Sequence, residues 1–166
     1  FGNPNMTGFT CCNGTAIESN TKLQNAIYHR STDNQSLYVN LYIPSTLNWS
    51  ERNVVIEQTT NFPKEDHTRL RVKGSGSFVI NVRVPNWAKK GFLVKINGKQ
   101  EAVNAEAGSY LALRRNWKNG DIIELQMPFE FHLDPIMDQQ NIASLFYGAG
   151  LLAAQEREAS VDWGKV

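Results

Sequence analysis

The sequence is poor in cysteine: only two occur, and they are adjacent, at Cys11 and Cys12. Neighbouring cysteines cannot build the spaced disulfide framework that stabilises many small secreted domains. The fold must therefore depend on a hydrophobic core. A chain of 166 residues is long enough for one principal domain with such a core and an appendage.

An excess of charge of either sign is also missing. The 17 Lys and Arg residues nearly balance the 16 Asp and Glu residues, which leaves a formal net charge of +1. Proteins that bind nucleic acid or an anionic membrane usually carry an excess of basic residues on one surface. We therefore expect no nucleic-acid partner and a neutral or weakly charged ligand.

Long apolar runs are absent as well. Apolar residues form 41% of the chain but occur in short alternating runs, far below the roughly 18 consecutive residues that a membrane-spanning helix requires. We expect no membrane partner. Phe1 stands where an initiator Met would be, and no basic and apolar leader follows. This indicates an excised segment and leaves the compartment open among periplasmic, secreted and cytoplasmic.

Hydrophobic periodicity divides the chain into a short helix and a long β region. Apolar residues at helical spacing predict a helix over residues 13–28. From Leu37 onward the period changes to two, and turn signals such as Asn97-Gly98 separate the apolar runs. The predicted strands are 37–43, 53–59, 67–73, 77–84, 92–97, 109–114 and 121–133.

Seven or more strands at this spacing are typical of an antiparallel β-sandwich. Between Leu37 and Leu133 no segment of helical period separates two strands, which argues against a parallel sheet. Residues 142–156 are ambiguous, because Gly148 and Gly150 weaken a helix and favour a strand through 145–147. The predicted class is mainly β: a jelly-roll-like antiparallel sandwich preceded by a short helical segment.

The adjacent cysteines are the most unusual candidates for a functional site. At the start of a helix a thiolate is stabilised by the helix dipole and by unpaired backbone N–H groups, which suits a nucleophile or a metal ligand. Two inert thiols are the simpler alternative, because the second cysteine pair of a zinc knuckle is missing. The other candidate ligands show no recognisable spacing: Glu18, His29, His67 and His132.

Carboxylates and aromatic residues give weaker signals. Asp33 and the pair Glu65-Asp66 lie in polar turns, which are typical of solvated surface rather than of the paired carboxyl groups that cleave glycosides. Tryptophans near strand ends are placed to stack on sugar rings, although packing within the core is the simpler alternative. These tryptophans are Trp49, Trp87, Trp117 and Trp163.

A series of different short motifs extends along nearly the whole chain. They are Cys11-Cys12-Asn13-Gly14-Thr15-Ala16-Ile17-Glu18, Ile27-Tyr28, residues 37–45, Val84-Pro85-Asn86-Trp87-Ala88, Lys95-Ile96-Asn97-Gly98-Lys99, Tyr110-Leu111, residues 115–121 and Leu145-Phe146-Tyr147-Gly148. In this order and spacing they resemble the β-L-arabinofuranosidases of glycoside hydrolase families 127 and 146.

The resemblance implies an (α/α) barrel that carries the active site, followed by β-sandwich domains. Residues 1–30 would be the end of that barrel, 31–135 the sandwich, and 136–166 a tail leading towards a further β domain. The upstream barrel would be the sandwich's partner. A sandwich separated from it would expose the apolar patch that the two share, which favours self-association.

The resemblance also implies that Cys11 is the nucleophile and that Cys11 and Cys12 are zinc ligands in the full-length protein. Thiolate attack on the anomeric carbon of an arabinose-containing glycan would form a thioglycosyl intermediate and retain configuration. The family's general acid/base and remaining zinc ligands belong to the barrel, so this chain alone is expected to be inactive and possibly free of zinc. The alternative is a non-catalytic carbohydrate-binding or scaffolding module, with Trp87 or Trp117 as sugar platforms.

Overall fold

The computed structural model describes residues 11–89 and 91–153. One α-helix and one 3₁₀ turn at Ser50–Arg52 accompany the strands of this part of the chain. The elements are α1 (Cys11–Ile27), β1 (Tyr28–Arg30), β2 (Ser36–Val39), β3 (Ser45–Trp49), β4 (Val54–Thr60), β5 (His67–Lys73), β6 (Gly76–Arg83), β7 (Leu93–Ile96), β8 (Lys99–Gln100), β9 (Tyr110–Trp117), β10 (Ile122–Gln126), β11 (Phe131–Ile136), β12 (Gln139–Tyr147) and β13 (Gly150–Leu151).

These strands form three sheets. Sheet A has the order β1-β2-β6-β9, sheet B the order β3-β4-β5-β10-β7-β8, and sheet C the order β11-β12-β13. Buried side chains from sheets A and B belong to one hydrophobic cluster, so the two sheets form a sandwich around a common core. The predicted mainly β sandwich class is confirmed. Within the residues described, no helix is long and apolar enough to span a bilayer.

The alternation that predicted the strands corresponds to real burial. In β5 every second residue is buried, namely Thr68, Leu70 and Val72, because successive side chains of a strand point to opposite faces. Strand β6 is central in sheet A, and it buries residues 78–82 without alternation. Trp49 and Trp117 are among the largest side chains in the core. Alternation therefore identifies the core face of β5, whereas consecutive residues of β6 are buried on both of its faces.

One pair of strands departs from the antiparallel arrangement that was predicted. Strands β2 and β6 run parallel, with Leu37 opposite Ile80. Parallel strands need a long crossover, which is usually a helix. Here the crossover consists of β3, β4 and β5, which belong to sheet B. Because the crossover is itself made of strands, no helical pattern in the sequence announces it.

The predicted strand 37–43 ends earlier than its alternation suggests. Strand β2 stops at Val39, and residues 40–44 form no regular structure. The buried side chain of Gln58 donates its amide to the carbonyl oxygens of Leu41, at 3.0 Å, and Ile43, at 2.6 Å. A side chain from β4 thus replaces the hydrogen bonds that a strand partner would make.

The predicted strand 121–133 is in fact two strands that belong to different sheets. Strand β10 ends at Gln126 in sheet B, and β11 begins at Phe131 in sheet C. Where the chain passes from sheet B to sheet C, the N–H of Met127 donates to the carbonyl oxygen of Asp66 at 2.7 Å. Period-two alternation continues through both strands, so the pattern alone does not reveal the change of sheet.

The two ends of the described chain agree with the remaining predictions of secondary structure. Helix α1 confirms the helix predicted over residues 13–28, and β12 confirms the strand expected through residues 145–147. Strand β3 is an addition, because its sequence Ser-Thr-Leu-Asn-Trp is too polar to resemble a strand. The division into segments 1–30, 31–135 and 136–166 stays a prediction.

Candidate functional site

Cys11 and Cys12 are the first two residues of helix α1. Their side chains lie outside the part of the structure that is described. The helix leads directly into β1, an edge strand of sheet A. Ile27, the last residue of the helix, is buried. The carbonyl oxygen of Ile27 accepts a hydrogen bond from the N–H of Asn40 at 2.9 Å. The carboxyl end of the helix is therefore fixed to the sandwich, and the cysteines lie at its other end.

The other candidate metal ligands are not brought together. Among residues 11–89 and 91–153, no three His, Cys, Asp or Glu side chains are grouped so as to hold a metal ion. Each candidate lies on a different element: Glu18 on α1, His29 on β1, His67 on β5 and His132 on β11. The described part of this chain thus contains no group of residues that forms a complete zinc site.

The candidate carboxylates accept hydrogen bonds within turns. Asp33 accepts hydrogen bonds from the hydroxyl of Ser31 and from the N–H of Gln35, and these bonds, that of Ser31 foremost, lower the pKa of Asp33. Glu65 accepts from the side-chain amide of Asn61 at 3.0 Å. These carboxylates stabilise local loops, and nothing in their geometry pairs two of them across a substrate.

The tryptophans proposed as sugar platforms have different environments. Trp49 and Trp117 are 1% and 0% exposed, so neither has a free face for a sugar ring, and the interpretation of Trp117 as a platform is wrong. Trp117 instead donates its indole N–H to the carbonyl oxygen of Phe78 at 3.1 Å. Trp87 is half-buried and stacks on Phe62, with 6.4 Å between the two ring centroids. Trp163 lies outside the described residues.

Two cavities that the sequence analysis missed adjoin each other on the outer face of sheet B. The first, of about 440 Å³, lies over strands β4, β5, β7 and β10. The second, of about 420 Å³, lies between the loop 61–66 and the side chains of Phe129 and Tyr147. Glu65 and His67 line both cavities. We call the two together the outer cleft.

The floor of the outer cleft is a row of polar side chains from four neighbouring strands. Thr59 lies opposite Arg69, Arg69 opposite Glu124, and Glu124 opposite Lys95. The guanidinium of Arg69 donates to the carboxylate of Glu124 at 2.7 Å. The exposed positions of each strand are visible in the sequence, but their alignment depends on strand order and register. No sequence signal places β10 between β5 and β7.

Comparison with known families and structures agrees with this fold. The family model described as "Beta-L-arabinofuranosidase, GH127 middle domain" matches residues 36–129, which form more than half of the chain. A search among curated proteins returns no match. The matched segment begins at the first residue of β2 and includes sheets A and B apart from the short edge strand β1.

Solved structures give the same result. One titled "Glycoside hydrolase" is 26% identical, with a TM-score of 0.76 over 90% of this chain. A GH127 beta-L-arabinofuranosidase from Geobacillus stearothermophilus is also 26% identical, with a TM-score of 0.73 over 85% of this chain. A GH127 beta-arabinofuranosidase that is 21% identical, with a TM-score of 0.72 over 85% of this chain, shares the fold.

The chain spans about a quarter of the length of these solved structures, with shares of 26%, 23% and 25%. It therefore corresponds to one portion of a larger architecture. The family match over residues 36–129 agrees with the motifs that first suggested the resemblance. The chain belongs to the GH127 β-L-arabinofuranosidase family and contains the middle domain of that family.

Proposed function

We propose that this chain is the sandwich portion of a retaining, zinc-dependent glycoside hydrolase that cleaves β-L-arabinofuranosides, and that it is inactive by itself. The observation that carries the proposal is the family match over residues 36–129, directly downstream of a helix that begins with Cys11-Cys12. The relative from Geobacillus stearothermophilus is a β-L-arabinofuranosidase. Because this chain spans about a quarter of such relatives, the activity belongs to a longer protein.

In that longer protein Cys11 acts as the nucleophile. The first turn of a helix has unpaired N–H groups and a positive dipole end, and both stabilise a thiolate. Attack of Sγ on the anomeric carbon forms a C–S bond and expels the leaving oxygen, which takes a proton from an acid outside this chain. Water then gives its proton to the conjugate base of that acid, attacks the anomeric carbon and displaces the Cys11 thiolate. Two inversions give net retention of configuration.

Zinc fits the cysteine pair as half of a site. Thiolates are preferred ligands of Zn²⁺, but a structural or catalytic site takes three or four protein ligands in all. The part of the chain that the structure describes holds no cluster of three candidate ligands, and we assign the others to the remainder of the longer protein. When bound, zinc keeps a coordinating thiol deprotonated near neutral pH. Cys11 and Cys12 would then be held in one position.

The sandwich itself serves as a scaffold for the catalytic portion. Its core is complete, whereas sheet C exposes large apolar side chains, among them Phe131 at 66%, Leu133 at 65% and Leu151 at 63%. Apolar patches of this kind usually mark an interface. We assign the apolar face around Leu133 and Leu145, with Leu151 on β13, to an interface with the remainder of the longer protein, which includes the (α/α) barrel; Tyr147, at the end of β12, borders the outer cleft and is left out of this interface.

The nucleophile is tested in the full-length protein by the substitution Cys11→Ala. Hydrolysis of an aryl β-L-arabinofuranoside should fall by at least about 10³-fold, which is typical when a nucleophile is removed. Proton NMR of the first product should show the β-anomer in the parent enzyme. Full activity of Cys11→Ala, or release of the α-anomer as first product, would overturn this part of the proposal.

A matched control is Ser19→Ala on the same helix. Ser19 is exposed and its hydroxyl donates to the carbonyl oxygen of Thr15, so this change removes one polar atom from α1 without touching the cysteines. Activity should stay within about twofold. Elemental analysis of protein purified without added metal tests the zinc. Zinc in the full-length protein and none in this chain is expected, and its absence from both would contradict a metal role.

A further inference from the structure

The outer cleft combines the two kinds of surface that a sugar ring requires. Its walls carry three cations and three carboxylates, so their formal charges cancel: Lys64, Arg69, Lys95, Glu65, Asp66 and Glu124. A balanced set of donors and acceptors suits a neutral ligand rich in hydroxyl groups, each of which both donates and accepts. An anionic polymer would meet the carboxylates unfavourably.

The polar side chains of the cleft are held in position by contacts with one another. Arg69 binds Glu124 at 2.7 Å, and the amide of Gln126 donates to the carboxylate of Asp66 at 3.0 Å. His67 lies 3.2 Å from Glu65 and 3.4 Å from Asp66. These contacts restrict the side chains that line the cleft, which lowers the entropic cost of binding a ligand.

Lys95 stands apart from this network. Its neighbour across the sheet, Glu124, is paired with Arg69, and Lys95 makes no ion pair or hydrogen bond with any residue that the structure describes. An exposed ammonium of this kind has three free donors. Lys95 thus offers hydrogen bonds to a ligand at the end of the row away from β4.

An aromatic side chain closes the other end of the cleft. Tyr147 is 44% exposed; the centroid of its ring lies 5.7 Å from that of Phe129, edge-on, and 4.8 Å from that of Phe131, tilted by 42°. Phe129 in turn contacts Trp87 at 5.6 Å. A tyrosine held by such contacts presents an apolar face and a polar hydroxyl. The C–H face of a sugar ring has the complementary apolar character.

We infer that the outer cleft is a non-catalytic binding site for a neutral oligosaccharide, separate from the cysteine pair. Tyr147 stacks on one sugar ring, while Arg69, Glu124 and Lys95 bind the hydroxyl groups of the rings that follow. Two adjoining cavities of about 440 and 420 Å³ are of the size that ligand pockets usually have, and together they admit more than one ring. This inference goes beyond the proposed function, because it assigns binding to the sandwich itself.

Isothermal titration and ¹⁵N NMR of this chain test the site with linear α-1,5-arabinotriose and arabinopentaose as neutral probes. Cellotriose is the neutral comparison and trigalacturonate the anionic one. We expect chemical-shift changes grouped on β5, β7, β10 and residue 147, and tighter binding of the pentaose than of the triose. Absence of heat and of shift changes with every neutral probe at millimolar concentration would overturn the inference. Binding of trigalacturonate alone would do so too.

Variants assign the binding to the cleft. Lys95→Ala and Arg69→Ala should each weaken arabinopentaose binding about tenfold, because each removes donors that face the ligand. The matched control is Arg114→Ala, an exposed cation of β9 in sheet A, which should bind normally. Lys95 makes no ion pair or hydrogen bond with the described residues, so Lys95→Ala keeps the test valid if Arg69→Ala fails to fold. Unchanged affinity in both cleft variants would place any binding elsewhere.

This result is independent of the cysteine mechanism. The probes are titrated into a chain that is expected to be inactive, and no zinc or Cys11 thiolate takes part. Failure of Cys11→Ala to abolish hydrolysis would leave the cleft unaffected. Failure of the cleft to bind sugar would likewise leave the assignment of Cys11 standing.

Discussion

Individual polar side chains link turns of the sandwich through hydrogen bonds. One carboxylate oxygen of Asp121 accepts from the N–H of Lys118 at 2.8 Å, and the other accepts from the side-chain amide of Asn97 at 2.9 Å. The amide oxygen of Asn97 accepts from the N–H of Ile122 at 2.9 Å. Burial by itself raises the pKa of Asp121, but its two hydrogen bonds, together with the charges of Arg115 and Lys118, outweigh burial and lower the pKa below its usual 3.8.

The substitution Asp121→Asn should therefore destabilise the protein in a pH-dependent way. The loss of one charge-assisted acceptor should lower the free energy of unfolding at pH 7 by about 1 kcal/mol. The folded-state pKa of Asp121 lies below its unfolded value, so this contribution is complete above about pH 4 and disappears as the pH falls through the folded pKa. Urea unfolding at pH 7, 5 and 3 should show the two proteins converging.

Asp138→Asn is the control for this measurement. Asp138 is exposed in the turn between β11 and β12 and makes no hydrogen bond with any residue in the described part of the chain. It should leave the unfolding free energy within about 0.5 kcal/mol of the parent at each pH. An Asp121→Asn effect of equal size at all three pH values would show that the charge of Asp121 plays no part.

At the scale of elements, sheet C is attached to the sandwich through a chain of aromatic rings. Phe62 stacks on Trp87, Trp87 contacts Phe129, and Phe129 contacts Tyr147 of β12. The turn that follows β12 approaches the ring of Phe129 closely. A Cβ placed on Gly148 would lie 2.5 Å from the ring of Phe129, and the φ of Gly148 is +56°. Glycine is required here both by the close approach and by the backbone conformation.

Gly148→Ala should therefore loosen the attachment of sheet C. The ring of Phe129 cannot move without disturbing its contacts with Trp87 and Tyr147, so we expect a loss of about 2 to 3 kcal/mol from overpacking and backbone strain together. Native-state hydrogen exchange should show faster exchange in β11 and β12, while β5 and β6 stay protected.

Gly98→Ala separates strain from packing. Gly98 also has a positive φ, +78°, but a Cβ there would meet nothing within 4 Å. This variant should lose only about 1 kcal/mol, the usual cost of a left-handed residue with a side chain. Equal losses in Gly98→Ala and Gly148→Ala would mean that the contact with Phe129 contributes nothing.

At the scale of the whole molecule, apolar surface is distributed unevenly. The sandwich buries its large side chains, whereas sheet C exposes Leu133 and Leu145 side by side on one face and Leu151 on its edge strand. In the longer protein proposed above, the remainder of the chain covers this surface. Without that cover, a second copy of sheet C is the most similar surface available.

We therefore expect this chain to self-associate. Light scattering should give an average mass that rises above 18.7 kDa as the concentration increases. Leu133→Lys should shift the mass back towards the monomer, because it places a charge at the centre of the apolar face. Leu23→Lys is the matched control: Leu23 is a 46%-exposed leucine on α1, and its replacement should change nothing. A constant 18.7 kDa at millimolar concentration would contradict the expectation.

Much of the fold was determined by local sequence. Apolar runs bounded by turn signals predicted strands at β4, β5 and β6, and turn chemistry placed Asn97-Gly98 between β7 and β8. Helix α1 and the family motifs are local as well, and so is the pair Cys11-Cys12. These features depend on neighbours a few positions apart, which a sequence displays directly.

The tertiary structure decided what depends on register and strand order. The parallel pairing of β2 with β6, the division of 121–133 between two sheets, and the role of Gln58 all join residues that are distant in the chain. The row of Arg69, Glu124 and Lys95 exists because β10 lies between β5 and β7. Period-two alternation indicates which face of a strand a side chain occupies, but it does not indicate which strand lies beside that strand. The sequence therefore determined the sandwich, the family and the cysteine pair, and only the folded chain decided where a cleft would form.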